Sequence, residues 1–188
     1  RMEDDWGFEI LTITVESDNN NISNPEILAE MDAIESALNT NISDEGNHDG
    51  VVWILSMSTL VKQINVSSES IFISFINRLD EIHPDFGQIL ANYSNSLWDG
   101  SNPYSIPEDQ WRIDQMVDEM PPNLREVLAI EDEGVGFWNR GIIYMGVVPN
   151  SYSEIERSAQ SSIDQRSTIA NWDELGLEMR IEGTPELG

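Results

Sequence analysis

A chain of 188 residues with 39% hydrophobic residues, among them six Trp, five Phe and four Tyr, is long enough for one packed core and too aromatic for an acidic disordered tail. Nine Lys and Arg stand against 35 Asp and Glu, a formal net charge of −26. That balance argues against nucleic acid and anionic lipid headgroups as partners, because neutralising phosphates takes basic clusters that this sequence lacks.

In chain order, Phe8 to Val15 alternates in its second half and predicts a strand. The loop around Asn19-Asn20-Asn21 leads to a helix capped by Asn24, with Pro25 at its first position and Glu26 in its first turn. Ile27, Leu28, Met31, Ile34 and Leu38 form its apolar face. After a polar loop, Gly50 opens the apolar run Val51 to Leu55. A bilayer-spanning helix needs roughly 20 apolar residues, and Ser56, Ser58, Thr59 and Lys62 break the run far sooner, so a buried core strand is expected.

The middle section predicts helices. Ile71, Phe72, Phe75, Ile76, Leu79 and Ile82 keep helical spacing before Pro84, as do Trp111, Met116, Val117 and Met120 before Pro121-Pro122. Leu124, Val127 and Leu128 follow in a short piece. Gly141 to Val148 predicts a strand ended by Pro149. Ser151 and Glu154 then suggest a capping box for a long helix reaching about Trp172, with Tyr152, Ile155, Ala159, Ile163, Arg166 and Ile169 on one face. Leu175, Leu177, Met179 and Ile181 alternate as a last, half-buried strand. Two strand–helix–strand units separated by helices give an α+β expectation: a ferredoxin-like split βαβ sheet with a helical insertion. The boundaries are 1–65 for the first unit, 66–130 for the insertion and 131–188 for the second unit.

Little in this sequence suggests bond chemistry. Without cysteine there are no disulfides, Cys-based zinc sites or thiol nucleophiles. His48 and His83 have no His partner at metal-binding spacing. Carboxylates are too abundant for any pair to stand out, so no catalytic, cofactor or metal residue is assigned. Glu45 to Gly50 resembles a calcium loop in part, but its first ligand is Glu and the position needing a bidentate Glu is Ser56. The glycines of Gly134 to Gly141 lack a following helix and a phosphate-loop Lys. Phe72, Phe75, Trp98 and Trp111 are the candidate contacts for an apolar ligand, with interhelical packing the plainer account. Sequons at Asn21, Asn41, Asn65 and Asn92 are candidate N-glycosylation sites. The start at Arg1, with neither initiator Met nor signal pattern, suggests a processed or excised piece.

The succession of a first strand, Asn24 to Asn39, and Gly50 to Asn65 resembles the first extracytoplasmic loop of resistance–nodulation–division (RND) transporters. It is most similar to the MMPL-like hydrophobe/amphiphile exporters of archaea and bacteria. Gly50, Val51, Ile54, Ser56, Leu60 and Val61 match that family's strand and helix-start pattern. Met120 to Gly134, the strand from Arg140, the long helix and Gly183-Thr184-Pro185 resemble the second half of the same loop. The resemblance implies a soluble porter domain on the extracytoplasmic side of a cell membrane. Its partners would be the transmembrane helices and a second porter domain of the parent chain, its cargo hydrophobic or lipid-like, and the parent a possible homo-oligomer. The proton-carrying intramembrane carboxylates of the family are absent from these residues, so none has an energy-coupling role. The alternative is a free-standing secreted acidic module that binds a protein or surface; a carboxylate-based hydrolase is a third and weaker reading.

Overall fold

The computed structural model describes residues 7–38, 50–65, 104–120 and 122–182. Their elements run β1 (Glu9–Ser17), α1 (Pro25–Leu38), β2 (Val51–Leu55), α2 (Met57–Asn65), α3 (Gln110–Glu119), α4 (Pro122–Leu128), β3 (Ala129–Ile130), β4 (Arg140–Val147), α5 (Tyr152–Ile169), α6 (Trp172–Leu175) and β5 (Leu177–Glu182). The fold is α+β, with one five-stranded antiparallel sheet in the order β2-β4-β1-β5. The short β3 pairs with Gly141 and Arg140, on the edge of β4 that β2 occupies farther along. Because β4 is antiparallel to both β1 and β2, those two run parallel with β4 between them. By the same reasoning β4 and β5 run parallel with β1 between them.

The alternation in β1 sorts its side chains onto two faces. Leu11, Ile13 and Val15 are fully buried. Ile13 lies opposite Ile143 on one side and Ile181 on the other, and Leu11 lies opposite Met145. The opposite face carries Thr12, Glu16, Glu178 and Arg180, the last two exposed. One face is therefore core and the other is polar and partly wet, the usual antiparallel pattern. α1 and α5 pack on each other and α5 against β1 and β5. All five apolar residues predicted for the α1 stripe are buried, and the Asn24 side chain caps it by accepting from the Glu26 amide at 2.8 Å. Ile113, Met116 and Val117 of α3, Met120 just after it, and Leu124 and Leu128 of α4 join this same core.

Several expectations are corrected. The Ser151 side chain caps nothing: a 3₁₀ turn, Pro149–Ser151, precedes α5. Ser151 is instead pressed against Gly50, where an added Cβ would stand 2.6 Å from the Ser151 Cβ. Gly50 also has φ +88°, a conformation that only glycine adopts without strain. α5 stops at Ile169, which is 67% exposed rather than on the buried stripe, and Ala170 is extended. Trp172 and Leu175 are buried in the separate short helix α6, closed by Gly176 at φ +60°, and β5 begins only at Leu177. Trp111 is 66% exposed and takes no part in the buried face of α3. The expected helix from Ile71 to Ile82, with Phe72, Phe75 and Trp98, lies outside the described residues.

Candidate functional site: a buried carboxylate cluster between two helices

β2 delivers the chain to Ser56, which caps α2. The Ser56 amide donates to Thr59 Oγ1 at 2.8 Å and the Thr59 amide donates to Ser56 Oγ at 3.1 Å, a reciprocal capping pair that satisfies two otherwise unbonded donors. The Thr59 hydroxyl in turn donates to the Ser56 carbonyl at 3.0 Å. With its oxygen accepting from Thr59, the Ser56 hydroxyl donates to Glu35 Oε1 of α1 at 2.8 Å. This serine is a cap and a clamp.

Every residue of α2 is buried, the polar ones included. Among them is Lys62, the only lysine in the chain, 2% exposed. Its Nζ lies 2.5 Å from Asp32 Oδ1 and 4.7 Å from the centre of the Tyr104 ring, a cation–π distance. Gln63 donates to Tyr104 Oη at 3.2 Å, and Asn65 donates to the Ser105 carbonyl at 3.0 Å. Asp32 and Glu35, three residues apart on α1, thus both address α2. Glu35 is 1% exposed, its Oε2 has no hydrogen-bond partner among the described residues, and the buried Ser58 hydroxyl also has none.

Burial pushes the Glu35 carboxyl up to about 7, against the opposing pull of Lys62 and the Ser56 hydroxyl; neighbouring Asp32 raises it further, and the nearby Ser58 hydroxyl lowers it. Burial would depress Lys62, but Tyr104, Glu35 and Asp32 outweigh it and hold the ammonium above its ordinary value. Burial raises Tyr104, opposed by Lys62.

A second seam binds α1 to the C-terminal elements. Arg166 of α5 grips Glu30 with two bonds, Nε to Oε1 at 3.0 Å and Nη2 to Oε2 at 2.6 Å, and Trp172 Nε1 donates to Glu30 Oε1 at 2.8 Å. Both Glu30 oxygens are satisfied, so this seam is structural.

The candidate apolar-ligand residues do not come together: Trp111 is exposed on α3, and Phe72, Phe75 and Trp98 lie outside the described residues. The groove between α5 and β5 is lined by Ser153, Glu156, Arg157, Gln160 and Ile181, four polar residues against one apolar, which suits no lipid-like ligand. No three His, Asp or Glu side chains among the described residues are grouped to hold a metal. His48, His83 and all of the calcium-like loop but Gly50 lie outside the described residues. Of the sequons, Asn65 is 5% exposed with its amide committed to Ser105, and the half-buried Asn21 accepts from the Ser23 amide and hydroxyl through Oδ1. Asn41 and Asn92 lie outside the described residues.

The cluster around Glu35 escaped the sequence reading, yet it left two signals. Glu35 interrupts the α1 stripe at helical spacing from Leu28, Met31 and Leu38, where a solvated glutamate does not belong. The chain's one lysine sits within a run of apolar and small residues. Comparison with family models, with curated proteins and with solved structures finds no match to this chain. No helix among the described residues is long and apolar enough to cross a membrane.

Proposed function

We propose that this chain is the extracytoplasmic porter domain of an RND-type, MMPL-like exporter of hydrophobic or amphiphilic molecules, working beside a second porter domain of the same parent chain. The observation that carries the reading is the connectivity of the sheet. β1–α1–β2 and β4–α5–β5 are two strand–helix–strand units whose strands interleave in the order β2-β4-β1-β5. That order supports reading the sheet as a ferredoxin-like split βαβ with a helical section inserted between the units, the architecture that the resemblance implies. Fold alone does not assign function; the short matches at Gly50, Val51, Ile54, Ser56, Leu60 and Val61 are what favours this family.

In this reading the domain makes and breaks no bonds. Its work is to open and close around cargo while membrane helices elsewhere in the parent chain use the ion gradient. Sliding of the middle helices against the sheet is the gate, since packed layers can shear. A single rigid shape in two crystal forms and in solution scattering would count against this motion.

The parent gene tests the assignment. Apolar stretches of about 20 residues immediately before Arg1 and after Gly188 are expected, with carboxylates inside some of the further spans. Polar flanks, or a reading frame that stops at Gly188, would overturn the porter reading and leave a secreted binding module in its place.

A further inference from the structure

The charges around Glu35 do not balance. Among the described residues, two carboxylates of α1, Asp32 and Glu35, face one cation, Lys62 of α2, and the ammonium sits directly on Asp32. With both acids ionised the cluster carries one uncompensated negative charge on a side chain 1% exposed to water. A buried charge of that kind is costly unless it is paired. One added proton makes the set neutral. The natural place for it is Glu35 Oε2, which has no hydrogen-bond partner among the described residues and lies near the Ser58 hydroxyl.

We propose that Glu35, with Ser56, Ser58, Asp32 and Lys62, forms an internal proton-binding site that fastens the N-terminus of α2 to α1, and that α2 loosens when the proton leaves. The coupling runs through Ser56, whose hydroxyl donates to Glu35 while its oxygen receives the Thr59 amide. Relieving an ionised Glu35 requires water to enter between the helices, which disturbs the donor and the cap together. Among the described residues, few groups face the site. Asp32 acts from α1, Lys62, Ser56 and Ser58 from α2 and its cap, and Tyr104 reaches it through Lys62. The strand β2 carries no ionisable group. Arg166 of α5 is held by Glu30 on another part of α1. The elevation of the Glu35 carboxyl to about 7 agrees with this charge count. The site does not depend on the porter reading and would stand if that assignment fell.

The test follows the Glu35 carboxyl carbon by NMR across pH, together with the exchange protection of the Thr59 amide. The expected carboxyl midpoint lies near 7 instead of 4.5. Protection at Thr59, corrected for intrinsic exchange, is expected to fall about tenfold or more between pH 5 and 7, because opening is linked to loss of one proton, and then to level off. In Glu35→Gln that fall disappears. Asp32→Asn frees Lys62 for Glu35 and lowers the Glu35 midpoint. A wild-type midpoint near 4.5 overturns the site, and a raised midpoint with pH-independent Thr59 protection overturns the latch. A midpoint that rises in Asp32→Asn overturns the shared cation. The wild-type titration decides even where Glu35→Gln does not fold.

Discussion

Arg166 and Glu30 lie 136 positions apart in sequence and are joined by two near-parallel hydrogen bonds, Nε to Oε1 at 3.0 Å and Nη2 to Oε2 at 2.6 Å. The planar guanidinium matches the carboxylate edge, and Lys could not reproduce the pair of bonds. Arg166→Ala leaves Glu30 with only the Trp172 indole. The pair is partly exposed on the arginine side, so the loss falls below that of a fully buried pair, at about 2 kcal/mol. Urea unfolding measures it; Arg166→Lys is expected to recover less than half of the loss.

Gly146 is the floor for an aromatic side chain. Trp53, opposite it across a bulge in β2, covers the position so closely that an added Cβ would stand 2.2 Å from the indole Nε1. Phe8 meets the same indole edge-on at 5.5 Å. Gly146→Ala therefore expels or tilts Trp53, at a cost of about 2 kcal/mol typical of overpacking. A shift in tryptophan emission and a lower denaturation midpoint are the expected readouts; an unchanged midpoint would show that the indole has room to move.

Ser56 holds the α2 cap and one oxygen of Glu35. Ser56→Ala removes both, so its cost exceeds that of an ordinary cap, with about 2 kcal/mol expected against the usual ~1. Thr59→Val removes the reciprocal acceptor but spares the Glu35 bond and is expected to cost less. Equal losses for the two variants in thermal unfolding would mean that the Glu35 bond contributes nothing.

Stability should carry the mark of Glu35. Its carboxyl stands at about 7 in the folded chain against 4.5 without burial, so the folded state takes up the proton more readily. The contribution of Glu35 to folded stability is then greatest below 4.5, falls as pH rises from 4.5 to 7, and is level above 7. At 1.36 kcal/mol per unit the fall amounts to about 3 kcal/mol. The difference between wild type and Glu35→Gln, followed by denaturant titration over this range, isolates that group from the other carboxylates. Glu35→Gln is expected to be the more stable of the two at pH 8, and a difference that does not vary with pH would refute the assignment.

What the sequence by itself determined is what depends on near neighbours. The alternation in the second half of β1, the Asn24 cap and the apolar stripe of α1 are all local patterns, and each element formed where its pattern lay. The same reasoning failed at Ser151, Ile169 and Leu175. Ser151 lies against Gly50, and beyond Ile169 the chain turns back to bring Trp172 onto Glu30, so distant contacts overrode local helix and strand preference. The apolar and small neighbours of Lys62 hint at burial, but its partners Asp32, Glu35 and Tyr104 are brought to it by the folding of separate segments. Burial and charge balance are properties of the assembled layers, because the cost of a charge depends on what surrounds it in three dimensions. The tertiary structure therefore decided that a glutamate on a predicted helix face is buried, and that burial pushes its carboxyl up to about 7.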